Sequence, residues 1–185
     1  MKSVRRPRSV AIGASDAELL ARVAAGEVTA LGAVYDRYAP ELLRFARRID
    51  PQEGEDLLHT TFLRVARLAP RFDRGSPSAR AWLFAIMSRV AQERSRALRR
   101  FTRALARFSE LPRHRSTSPC DTAPDMERAL ARLSLPKRTV ILLAEVEGFT
   151  CEEIARMLEV PVGTVWTRLH HARKTLRAWD SEAES

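Results

Sequence analysis

Residues 130–177 read LARLSLPKRTVILLAEVEGFTCEEIARMLEVPVGTVWTRLHHARKTLR, and the punctuation of this stretch is helical. Met126, Leu130 and Leu133 give one apolar-faced helix, ended by the turn Leu135-Pro136. Val140 to Val146 build the next, and Gly148 stops it. Thr150-Cys151-Glu152-Glu153 sets a Thr three residues before a Glu, the pattern of a capping box. Ile154, Ala155 and Leu158 form the apolar face behind it. Glu159-Val160-Pro161 is a short turn, and a proline suits the first position of a new helix. That helix buries Val165, Leu169, Ala172 and Leu176, at steps of four, three and four. A short helix, a tight turn and a longer basic helix make a helix-turn-helix. Thr164, Trp166, Thr167, Arg168, His170, His171, Arg173 and Lys174 lie on or near its open side. Arginine reaches guanine or phosphate, threonine reaches a base edge or a thymine methyl, and lysine reaches phosphate, so this set suits a major groove.

Working back toward the N-terminus, the same periodicity continues. Ser15-Asp16-Ala17-Glu18 is another capping box, followed by Leu19, Leu20 and Val23 and stopped by Gly26. A longer helix runs from about Thr29 to Ile49 on Leu31, Val34, Tyr35, Tyr38, Leu42, Phe45 and Ile49, with Pro40 inside it as a candidate break. Leu57, Leu58, Thr61, Phe62 and Val65 mark a third helix over about Glu53 to Leu68, its first turn rich in acids that suit the helix dipole. A fourth starts near Ala79 with Trp82, Phe84, Ile86, Met87 and Val90. It then turns cationic: Arg89, Arg94, Arg96, Arg99, Arg100, Arg103 and Arg107 are opposed only by Glu93 between Ser88 and Phe108. A merely solvated helix face carries mixed signs, so this run points to nucleic acid.

No stretch sustains the two-residue alternation of a strand. The expected fold is all-α: two small helical domains joined by a flexible linker, the C-terminal one a helix-turn-helix. The boundaries read as a disordered basic N-terminus over 1–14, a first domain over 15–108, a linker over 109–124, a second domain over 125–179 and an acidic tail over 180–185. The linker SELPRHRSTSPCDTAP holds three prolines and no helical pattern.

The chain has 185 residues, 32 Lys and Arg against 23 Asp and Glu, and a formal net charge of +9. Only Lys2, Lys137 and Lys174 are lysines, so the excess is arginine and favours a polyanionic partner. No apolar run reaches the ~18 residues of a membrane helix. The basic N-terminus lacks the apolar core of a signal peptide. Cys120 and Cys151 are too few for a disulfide framework and lack the spacing of a zinc site, which points to the cytoplasm. His59, His114, His170 and His171 have no metal-ligand spacing with the cysteines, so neither a metal nor a cofactor is expected. Cys151 is read as a first-turn residue rather than a redox sensor, and Glu152-Glu153 as capping rather than catalysis. No P-loop and no dinucleotide fingerprint is present, so no enzyme is expected.

Residues 130–177 strongly resemble the promoter-binding C-terminal domain of bacterial sigma factors, in the extracytoplasmic-function branch of the sigma-70 family. Three N-terminal stretches resemble that branch's other domain in the same order: SDAELLARVAAGEVTALGAVYDRYAPELLRFARRI from Ser15, EDLLHTTFLRVAR from Glu55 and RFDRGSPSARAWLFAIMSRVAQERSR from Arg71. The resemblance implies a non-enzymatic initiation factor that binds core RNA polymerase and directs it to promoter DNA. It implies polymerase contact at Asp56, His59, Thr60 and Leu63. It implies −10 contact along Arg80, Arg89, Gln92, Arg94, Arg96, Arg99 and Arg100, and −35 contact along the helix from Pro161 to Arg177. An anti-sigma factor is a further candidate partner, because the family often has one. Relatives commonly carry Gln-Glu at His59-Thr60, Asn at Arg89, and Lys or Arg followed by Ser at Trp166-Thr167. The competing reading is a stand-alone helix-turn-helix regulator. Aromatic side chains could accept unstacked bases in a melted −10 strand, but Phe72, Trp82 and Phe84 at helical spacing read as core. Trp166, about 100° off the buried stripe, is expected at the edge of the DNA-facing surface.

Overall fold

A computed structural model describes residues 13–72, 78–108 and 125–183. The expected linker over 109–124, Cys120 within it, and residues 1–12 lie outside the described residues. Among the described residues eight α-helices follow in order: α1 Asp16–Ala24, α2 Val28–Ile49, α3 Gly54–Leu68, α4 Ala79–Phe108, α5 Asp125–Ala131, α6 Leu135–Ile141, α7 Cys151–Leu158 and α8 Val162–Ala183. A short 3-10 turn follows α3, and a π-helical turn over Leu142–Val146 extends α6. No strand occurs among the described residues.

Both capping boxes form. Ser15 Oγ accepts from the Glu18 N–H at 3.3 Å, and Glu18 Oε2 accepts from the Ser15 N–H at 2.8 Å. Thr150 and Glu153 repeat the pair at 3.2 and 2.8 Å. Each pair satisfies two backbone donors that the start of a helix leaves open. Pro40 does not break α2, which runs unbroken to Ile49. The buried positions Tyr38, Ala39, Leu42 and Phe45 bracket it and hold the helix against its neighbours. Where α2 meets α3 the backbones come close: a Cβ on Gly54 would lie 3.0 Å from the Arg47 backbone. At the other end of the chain α8 continues through Ala183, so Asp180 and Ser181 belong to a helix rather than to the expected tail.

The two helical units, α1–α4 and α5–α8, share one continuous apolar core. Phe84 of α4 is fully buried, and its ring lies 5.5 Å from that of Phe149, edge to face. Arg138 on α6 donates to the Ile49 carbonyl at the end of α2 at 2.7 Å, and to the Leu130 and Leu133 carbonyls at 2.8 and 3.3 Å. A helix C-terminus leaves carbonyls open, and a guanidinium satisfies them.

Candidate nucleic-acid interface

Helix α4 spans 30 residues, about 45 Å at 1.5 Å per residue. Its first half is buried through Ala91, and positions 96–106 are all exposed. At about 100° per residue, Arg89, Gln92, Arg96, Arg99, Arg100 and Arg103 fall within roughly 100° of one another around the helix. Among the described residues no salt bridge reaches Arg96, Arg99, Arg100 or Arg103. The opposite side of the same stretch carries Leu98, Phe101 and Leu105, all more than half exposed, in line with the buried face of the first half. The cationic helix is therefore one-sided.

The residues expected along this helix divide accordingly. Arg80 and Arg94 lie on the inward side. Arg94 pairs with Glu53 and lies 3.9 Å from Asp56 of α3. Arg80 is held by Glu41, by the Glu147 carboxylate at 2.7 Å and by the Glu147 carbonyl at 3.0 Å. Its guanidinium lies over the Phe84 and Phe149 rings, 4.9 and 4.6 Å from their centroids, in reach of a cation–π attraction. The Glu147 side chain is only 7% exposed. Burial pushes its carboxyl above the usual range even though Arg80 pulls the other way. A count of charges along the sequence cannot separate these two arginines from the rest; the helical angle and the acids facing them do.

Arg89 lies on the outward side, with Gln92, Arg96, Arg99, Arg100 and Arg103, and it donates to Glu159 at 2.7 Å. Glu159 ends α7 in the left-handed region, φ 54° and ψ 47°, a conformation that favours Gly or Asn. Trp82 packs edge to face on Phe72 at 5.1 Å and both are half-buried, in keeping with a packing role.

On α8 the buried stripe is Val165, Leu169 and Ala172. Trp166, Thr167, His170, His171, Arg173 and Lys174 are exposed, with Thr164 and Arg168 half-buried beside them. Trp166 is 56% exposed and does not fold back onto the core. Arg173 pairs with Glu145 at 2.5 Å. A cleft of about 560 Å³ runs between the start of α7 and this helix, with Cys151 on one wall and Trp166, His170, Arg173, Lys174 and Arg177 around Leu169. Cys151 thus lies beside the exposed side of α8, which its place at the head of the first helix of the pair explains. On α3, Asp56, His59 and Leu63 are exposed and Thr60 half-exposed on one face, with Leu63 at 66%. Among the described residues no helix is long and apolar enough to cross a membrane, and no cluster of metal-ligating side chains forms.

Comparison with known proteins gives two family matches in sequence order. Residues 34–101 match Sigma-70 region 2, and residues 125–176 match Sigma-70 region 4. The ECF RNA polymerase sigma factor SigL of Mycobacterium tuberculosis is 31% identical over 161 residues, covering 83% of this chain and 90% of that protein. Among solved structures, CnrH in complex with the cytosolic domain of CnrY aligns over 92% of this chain and 99% of that one, at 27% identity and a TM-score of 0.64. The sigma factor RpoE from Bartonella quintana, in complex with the anti-sigma factor NepR, shares the fold at a TM-score of 0.62 and 24% identity over 80% of this chain and 94% of that one.

Proposed function

From the premise that this chain belongs to the extracytoplasmic-function branch of the sigma-70 family, we propose how its surfaces divide the work of starting transcription. The protein is an initiation factor that binds core RNA polymerase and directs it to promoters. The outer face of α3, with Asp56, His59, Thr60 and Leu63, docks on the polymerase. An exposed leucine ringed by polar side chains is a fitting contact centre, since it loses water only when a partner covers it. The outward face of α4, with Arg89, Gln92, Arg96, Arg99 and Arg100, holds the −10 strand. Arg103 belongs to the same face. A melted strand keeps its phosphates while its bases leave the stack, so a line of guanidinium groups tracks its backbone. The exposed side of α8, with Thr164 to Lys174, reads the −35 duplex. Arg80 and Arg94 serve packing rather than DNA. The protein performs no chemistry of its own and acts in the cytoplasm. Its regulation by an anti-sigma factor is proposed from its likeness to CnrH, solved in complex with the cytosolic domain of CnrY, and to RpoE, solved in complex with the anti-sigma factor NepR.

The observation that carries this reading is the one-sided arginine face of α4 on one helical unit, where no salt bridge is formed by Arg96, Arg99, Arg100 or Arg103 among the described residues, and a second basic helix on the other. The test is run-off transcription with core polymerase over a genomic promoter library. Promoter-specific transcripts that vanish when the chain is left out support the reading. Tight, sequence-specific binding of the pure protein to a duplex operator, with no effect of core polymerase, would favour the stand-alone regulator instead.

A further inference from the structure

Helix α8 carries no Asp or Glu between Val162 and Trp179. Its outermost face, opposite the buried stripe, holds Thr167, His170, His171 and Lys174, which fall within about 100° of one another around the helix. All four are exposed. The two imidazole rings meet edge to face, with 5.6 Å between centroids. Among the described residues neither ring has a hydrogen bond or an ion pair. The charged and titratable side chains around them are Arg168, Arg173, Lys174 and Arg177 of α8 itself, Cys151 across the cleft from α7, and Glu145 of the π-helical turn. Glu145 is taken up by Arg173. Helices α5 and α6 meet α8 across its buried stripe, about 100° or more from both histidines. The pair thus stands at the crest of the reading helix, among cations, with no carboxylate engaged with it among the described residues.

A neutral imidazole offers one N–H donor, and its other nitrogen is an acceptor that repels a phosphate oxygen. Protonation makes both nitrogens donors and adds a unit charge. Duplex DNA brings one negative charge about every 1.7 Å of its axis, and an opposite charge close by favours the protonated form. We propose that His170 and His171 form a proton-linked phosphate clamp: the pair takes up protons as the −35 duplex seats against α8. The proposal rests on the reading of α8 as the −35 helix and adds how that helix grips. Rings this close titrate as a coupled pair, in two steps that belong to both. Because DNA raises the pair's affinity for protons, the clamp's contribution to binding is fully present below histidine's ordinary value of about 6.5. It is lost as pH rises through the higher value of the complex. The grip on the duplex therefore tightens on acidification, in a range where unperturbed Asp, Glu, Lys and Arg keep their charge.

The test is proton NMR of the full chain with and without a short DNA duplex of mixed sequence, following the imidazole C2–H signals through a pH titration. His170→Gln and His171→Gln assign the signals, and wild-type His59, on α3, is the internal reference. The midpoints of the His170 and His171 signals are expected to rise by about one unit on saturation with the duplex, and that of His59 to stay. In anisotropy with the same duplex, affinity is expected to rise about tenfold from about pH 8 to about pH 6. The log–log salt slope should steepen over that range by about 0.9 for each histidine that gains a charge. The double variant H170Q/H171Q should lose most of this pH dependence, and H170R/H171R should bind tightly at both ends of the range. Midpoints unmoved by the duplex for both histidines, or an undiminished pH dependence in H170Q/H171Q, would overturn the clamp. Wild-type binding to core polymerase, measured on the same preparations, tests the sigma-factor reading separately. Its absence overturns that reading, and its presence beside unmoved histidine midpoints overturns the clamp alone.

Discussion

Glu27 accepts from Arg22 Nε at 2.7 Å and from Thr29 at 2.7 Å, and so fastens the turn between α1 and α2. The Arg22 guanidinium, with Thr29, brings its carboxyl down to about 2. A carboxyl lowered in the folded state adds stability that is fully present above its ordinary value of 4.5 and is lost as pH falls through 2. Amide hydrogen exchange of residues 27–31 should thus be slower in the wild type than in Glu27→Gln at pH 5. The two should converge as pH approaches 2. Glu159 presents the opposite balance, because its left-handed backbone costs about 1 kcal/mol that a glycine would not incur. Glu159→Gly should leave the melting temperature unchanged or raise it by about 2 °C, although it removes the bond to Arg89; a fall of several degrees would show that the pair outweighs the strain. Gly54 is the reverse case. Gly54→Ala sets a methyl against the Arg47 backbone, and the overpacking should cost about 1–3 kcal/mol in a denaturant melt.

At the scale of the element, α4 and α8 make separable predictions. Arg99 and Arg94 carry the same charge five residues apart but face opposite ways. Arg99→Gln should lower the salt slope for single-stranded DNA by about 0.7 and leave stability alone. Arg94→Gln, which loses Glu53 and Asp56, should keep the slope and cost up to about 1 kcal/mol in a thermal melt. On α8, Trp166 offers an apolar ring and one donor where a cation would meet phosphate. Trp166→Lys should steepen the holoenzyme's salt slope by about 0.9 and shift preference at one or two −35 positions by about 1–3 kcal/mol, read from a randomised −35 library. Most elements were legible in the sequence because their signals are local. Ser15 with Glu18 and Thr150 with Glu153 mark helix starts through bonds three residues long, and the apolar spacing of α7 and α8 marks the turn between them. The division of α4 into two faces was only partly legible: residue spacing gives the angle that separates Arg80 and Arg94 from Arg99, but which side packs inward is decided by acids distant in sequence, Glu41, Glu53 and Glu147. The unbroken course of α2 through Pro40 was hidden for a related reason: a residue's local preference yields to the packing on either side of it.

For the whole molecule, the shared core is the feature that composition and periodicity least foretold. Two helical units in the right order were readable, but the seam between Phe84 and Phe149 joins residues 65 positions apart, and no local pattern announces such a contact. Phe149 is 8% exposed and touches both Phe84 and Arg80. Phe149→Ala should cost about 3–5 kcal/mol. Because the loss falls on the seam, calorimetry should show the one cooperative transition of the wild type separating into two. A single transition merely moved to lower temperature would mean that the units stay coupled through Arg138, Arg80 and Arg89. The overhang of α4 has a different consequence, in the statistics of a tethered search. About twelve residues of flexible chain would wander over roughly 20 Å in any direction. The same residues as helix cover ~18 Å along one line. When one unit has docked on a promoter, its partner samples a narrower shell of positions, so its effective concentration at the second element rises and less orientational entropy remains to be lost there.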